Sequence, residues 1–143
     1  MPCDYKIVPR RALVVKIYVG RVTARCILDM YDRMEADPEY REGFKEFDDF
    51  RDVTDFAVTV TELGNFAQLT KGFTARKRLP TRKAVVVPDG PIRDAVLSVI
   101  RMVGEEEMLQ VATFDDVSEA LAFLGIPAAE RWKSPGGDSH KIH

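Results

Sequence analysis

The body of this sequence contains no histidine. Both histidines, His140 and His143, stand at the extreme C-terminus. That removes serine–histidine and cysteine–histidine nucleophile activation, and histidine-based metal sites, from the readings of the core. Cysteine is equally scarce. Cys3 and Cys26 are too few and too irregularly spaced for a disulfide framework or a zinc site, and Cys26, beside Ile27 and Leu28, reads as a buried structural thiol. No glycine-rich dinucleotide or phosphate loop and no HExxH occurs, so the chain is expected to need no cofactor and to be no enzyme. No apolar run approaches the roughly 18–20 residues that cross a bilayer. The opening MPCDYKIVPRR carries no apolar stretch of the signal-peptide kind. A net charge of −2 gives no general attraction to nucleic acid or to acidic membrane. The expectation is a cytoplasmic protein with reduced thiols.

What is present reads as one domain with a real core. Tyr5–Val8 and the run ALVVKIYV (12–19), closed by Gly20, form an edge hairpin joined by PRR. Thr23 caps a helix whose apolar residues Ile27, Leu28, Met30, Tyr31 and Met34 recur at helical spacing until Asp37-Pro38 stops it. A strand follows at about 45–51. Thr59-Val-Thr-Glu62 has capping-box spacing and opens a helix to about Arg76, with Leu63, Phe66, Ala67, Leu69 and Thr70 as its buried stripe. KAVVV (83–87) is an interior strand. Pro91 starts a helix lined by Ile92, Ala95, Val96, Val99, Ile100 and Val103 and closed by Gly104. MLQVATF (108–114) is the last strand, and Asp115 caps a final helix through Leu124, ended by Gly125 and Pro127. The order ββαβαβαβα implies an α/β fold: a mixed, mostly parallel five-stranded sheet with one antiparallel edge strand and flanking helices. The domain is expected to span 1–126, with 127–143 a mobile tail.

Charge is segregated. Acids dominate from Asp29 to Asp55, and only bases occur from Lys71 to Lys83. Such blocks are usually solvated faces, but opposed faces of this kind also suit a homodimer. The densest acidic stretch is FDDFRDVTDF (47–56). As a strand it points Phe47 and Phe50 to opposite faces, as a central strand requires. Read from Asp48, the stretch fails the calcium-loop pattern, because Phe50 and Val53 fall where Asp and Gly belong. Asp49 and Asp52 are expected to satisfy loop amides where the strand ends, with Asp55 solvated before the helix. The competing reading has Asp49, Asp52 and Asp55 converging on a divalent metal.

FDDFRDVTDF followed by a helix, then KAVVVPDG…IRDAVLSVIRMVGEEE and VATFDDVSEALAFLGI, resembles the SpoIIAA-like STAS family over about residues 4–126. The resemblance implies a mixed sheet with an antiparallel edge strand and a regulatory, non-catalytic role. Anti-anti-sigma factors in that group carry a phosphorylated serine in a D-S-[ST]-G turn. Here the turn reads Phe56-Ala-Val-Thr-Val60, and Thr59 is explained as a helix cap. The expected function is a binding module that engages an unknown protein partner, or a small apolar or anionic ligand, at the strand-to-helix turns 52–59 and 88–92. Its candidate residues are Asp52, Thr54, Asp55, Thr59, Asp89 and Arg93. Two alternatives stand beside it. One is a lipid or acyl carrier built on the 91–103 helix and on Phe44, Phe47, Phe50, Phe56, Phe66 and Phe73. The other is a metal-dependent enzyme using the 49–55 aspartates.

Overall fold

The computed structural model describes residues 2–41, 43–59, 61, 62, 65, 82–103 and 110–127. Among these residues the elements with defined bounds follow in the order β1 (Cys3–Val8), a 3-10 turn (Pro9–Arg11), β2 (Leu13–Thr23), α1 (Ala24–Ala36), β3 (Lys45–Ala57), β4 (Arg82–Val86), α2 (Pro91–Val103), β5 (Gln110–Phe114) and α3 (Val117–Phe123). The strands pair in sequence order, β1-β2-β3-β4-β5. β1 runs antiparallel to β2, and the other pairs are parallel. This is the mixed sheet with an antiparallel edge that the element order predicts.

The period-two pattern of the central strands sorts the core into two layers. Val14, Tyr18, Val22, Phe50 and Val85 face one way, against Ile27, Met30 and Met34 of α1 and Val96 and Ile100 of α2. Leu13, Val15, Ile17, Phe47, Ala84 and Val86 face the other way, against Ala120, Leu121 and Leu124 in and after α3. Phe47 and Phe50 therefore do lie on opposite faces of a central strand. The aromatic set grouped for the carrier reading is split by the sheet, and Phe66 and Phe73 lie outside the described residues.

Several boundaries move. Gly20 does not close β2. It takes a positive φ of 68°, and the ladder with β3 slips between Ile17 and Val19 and again between Gly20 and Arg21. A glycine at such an irregularity lets the strand bend and go on, here to Thr23. β3 likewise continues past 51 to Ala57, because β2 stays beside it and Arg21 faces Asp55 across the pair. The aspartates thus sit inside a long strand instead of at its end, where intrinsic propensity would place them. The final helix is capped by Asp116, whose carboxylate accepts the Ser118 amide at 2.8 Å, and not by Asp115. Asp115 is instead held by Arg93.

Other expectations hold. Thr23 Oγ1 accepts the Cys26 amide at 3.3 Å, and α1 gives way to extended backbone at Asp37. At the second capping box the Thr59 amide donates to Glu62 Oε1 at 2.9 Å and the Glu62 amide to Thr59 Oγ1 at 3.1 Å. The body of that expected helix, most of the basic block, the 108–109 start of the last strand, Gly104 and the 128–143 tail lie outside the described residues.

Candidate functional site

Four charged side chains are buried on the α1/α2 face of the three central strands. β2 contributes Lys16, β3 Glu46 and Asp48, and β4 Lys83, with side-chain exposures between 0% and 6%. The register makes this unavoidable. Lys16 lies opposite Asp48, and Glu46 opposite Lys83, so all four share one face with Tyr18, Phe50 and Val85. Lys16 Nζ is 3.1 Å from Glu46 Oε1 and 3.3 Å from Asp48 Oδ1, and it donates to Tyr31 Oη at 3.0 Å. Lys83 Nζ lies 3.4 Å from Glu46 Oε1 and 3.8 Å from Asp48 Oδ2. Two cations and two anions thus neutralise one another, the condition under which buried charge is tolerated.

Above Asp48 and Lys83 lies a cavity of about 40 Å³, bordered by Tyr18, Tyr31, Phe56 and Ile100. It is roomy and polar enough on its floor to hold water, yet far below the roughly 300–1,000 Å³ of pockets that enclose organic ligands.

Protonation here is set by the pairing. Burial, the largest influence on Lys16, pulls its pKa down, but Asp48 and Glu46 more than offset it and hold the ammonium well above its usual value. A permanently charged lysine is neither base nor nucleophile. Burial, then Asp48, pushes the Tyr18 hydroxyl up as well, and burial with the Cys26 contact does the same to the Cys3 thiol. Each of these groups binds its proton more tightly folded than unfolded. Their combined contribution is whole below the ordinary thiol value of 9.0 and is lost as pH climbs past it, past 10.0 for tyrosine and past 10.5 for lysine. Unfolding free energy from urea titrations should therefore fall between about pH 9 and pH 11. A flat profile would show that these three groups do not hold extra protons in the folded chain.

The residues expected at the strand-to-helix turns fall into two groups. Asp52, Thr54 and Asp55 lie within β3 beyond the level of β4, whose last partner on β3 is Asp49. Asp52 is half-buried and opposite Val19, Thr54 is exposed, and exposed Asp55 places Oδ2 3.6 Å from Arg21 Nε. Thr59 is exposed at its capping box. Asp89 and Arg93 belong to the β4–α2 turn. Asp89 is exposed, whereas Arg93 donates to Asp115 Oδ1 at 3.0 Å and Thr113 Oγ1 at 3.1 Å, tying α2 to the end of β5.

The competing reading, Asp49, Asp52 and Asp55 converging on a metal, finds no such cluster among the described residues. Arg51 grips Asp49 with Nε at 3.0 Å and Nη2 at 2.7 Å, and its amide donates to the same carboxylate at 3.0 Å. Asp49 does satisfy a nearby amide, then, but within the strand. Among the described residues no three His, Cys, Asp or Glu side chains stand close enough to share an ion. No helix among the described residues is long and apolar enough to cross a membrane.

Sequence reasoning missed the buried quartet. The signal was a lone lysine inside VVKIYV, another heading KAVVV, and the i, i+2 spacing of Glu46, Asp48 and Phe50 in a strand covered on both sides.

No protein-family model matches the chain, and no curated protein matches it. Among solved structures, it is similar to a DUF3478-family protein with a SpoIIAA-like fold from Shewanella loihica PV-4. The two are 15% identical with a TM-score of 0.48, over 78% of this chain and 83% of that one. The chain's own sheet is parallel but for one antiparallel edge strand and is covered by helices on both faces, an α/β fold.

Proposed function

We propose that this chain is a non-catalytic, STAS-like cytoplasmic binding module that engages another protein at the carboxyl-terminal side of its parallel strands. The observation that carries this reading is the state of the core. Its ionisable groups are committed to one another, and the space above them is about 40 Å³, too small to enclose a substrate or an acyl chain. Recognition therefore falls to the surface. In open α/β sheets that surface gathers outside the carboxyl ends of the strands. In support, Thr54, Asp55, Thr59 and Asp89 are exposed, and Arg93 ties the turn that carries Asp89 to the end of β5.

Native mass spectrometry of the protein isolated from its own cells tests this. A second polypeptide should be bound, and Asp55→Arg with Asp89→Arg should release it without changing the far-ultraviolet circular dichroism. A partner of the same mass as the chain would make it a homodimer. A small-molecule adduct that survives both substitutions, or a bare monomer, would overturn the reading.

A further inference from the structure

Outside the quartet and the strand ends, the fold brings two reactive groups together. Cys3 opens β1, and Cys26 is the third residue of α1, 23 positions later. The hairpin lays Cys3 opposite Tyr18, and the end of β2 turns into α1 so that the two sulfurs stand 2.8 Å apart. The spacing in sequence hides this pairing, since it depends on a strand–strand–helix path. A disulfide needs about 2.05 Å between sulfurs, so the two atoms are within about 1 Å of bonding distance. The two thiols differ in access. Cys3 is 1% exposed, whereas Cys26 is half-buried and its sulfur accepts the Thr23 amide at 3.3 Å.

We propose that Cys3 and Cys26 form a peroxide-responsive dithiol, with Cys26 as the attacking sulfur and Cys3 as the resolving one. The deprotonated Cys26 sulfur attacks one oxygen of a hydroperoxide. The O–O bond breaks, leaving Cys26 as a sulfenic acid, and the other oxygen departs as water or alcohol after taking a proton. Cys3 sulfur then attacks the sulfenic sulfur. The S–S bond forms, the S–O bond breaks, and hydroxide leaves with the Cys3 proton as water. Two thiols lose two electrons to the peroxide, and no further co-reactant is needed. Burial favours this order, because it shields Cys3 and holds it protonated, which leaves the more accessible Cys26 as the first thiol to meet peroxide. The bridge would tie the edge strand β1 to the start of α1.

The test uses the full, reduced chain. It is treated with equimolar hydrogen peroxide, denatured, reacted with N-ethylmaleimide and weighed without reductant. The expected product has lost two hydrogens, takes up no maleimide, yields a crosslinked peptide joining Cys3 to Cys26, and melts several degrees higher until dithiothreitol restores it. Cys3→Ser, given at least three equivalents of peroxide, should instead leave Cys26 gaining two or three oxygens, whereas wild-type protein given the same excess stops at the disulfide, which shows that Cys3 protects it. Wild-type protein that gains oxygen at Cys26 without losing the two hydrogens overturns the proposal, as does protein whose two thiols both still react with maleimide. The wild-type measurement depends on no variant folding.

Discussion

Lys16→Met lowers the unfolding free energy by about 3–5 kcal/mol, as expected when one partner of a buried charge group is removed. The side chains are close in length, so the loss does not come from a cavity. It comes from stranding negative charge: Glu46 and Asp48 lie 3.1 and 3.3 Å from the lysine nitrogen, leaving Lys83 alone to neutralise both. The Tyr31 hydroxyl loses its donor too. Urea unfolding at neutral pH measures the loss, and a companion variant identifies the cause. Lys16→Met with Glu46→Gln restores charge balance and should recover part of the deficit, because contacting sites are not additive. A loss under about 1 kcal/mol would mean that the quartet is open to water and that its burial does not govern its energetics.

Phe47→Ala should cost a comparable 3–5 kcal/mol, through packing. Phe47 is fully buried on the face opposite the quartet, where it meets Leu13, Val15, Ala84 and Val86 of the neighbouring strands and Leu121 and Leu124 from the α3 region. Truncation leaves a hole that strands hydrogen-bonded on both sides cannot close. Phe47→Leu should restore part of the loss, since leucine refills some of the volume that alanine leaves empty. Phe56→Ala, at a half-buried ring, should cost clearly less than Phe47→Ala. Equal effects at the two positions would show that α3 does not cover this face.

Local physics made much of this fold legible. Alternation placed Phe47 and Phe50 on opposite faces; Thr23 and Thr59 marked helix starts because their hydroxyls accept first-turn amides, and Pro91 did so because it has no amide to leave unpaired. Misreadings arose where a distant partner overrode a local preference. Gly20 and the aspartates of 49–55 look like terminators, yet β2 and β3 run on together past β4 because each supplies the other's hydrogen bonds and Arg21 meets Asp55. Asp115 looked like a cap until Arg93 claimed it from another element. The quartet was harder still. Charge in a strand core is disfavoured for each residue singly and tolerable only for the four together, and their register is a property of the sheet. Of the residues expected at the strand ends, Thr54, Asp55, Thr59 and Asp89 are exposed, while Asp52 is half-buried and Arg93 is tied to the end of β5, and they fall in two groups on separate elements.

Because the strands are laid down in the order in which they are synthesised, the sheet grows from one edge only, and each new strand docks on its immediate predecessor. Nothing in the described sheet must wait for a later strand to be inserted between earlier ones. A chain emerging N-terminus first can assemble its β1–β2 hairpin, bury the quartet once β3, β4 and α2 have arrived, and extend to β5. The exception is the second face. Leu13, Val15, Ile17, Phe47 and Val86 remain without the cover that α3 provides until residues 117–126 have left the ribosome. For this protein the window for mistaken association during biosynthesis is therefore late, on one side of the sheet, and closed by its last described helix.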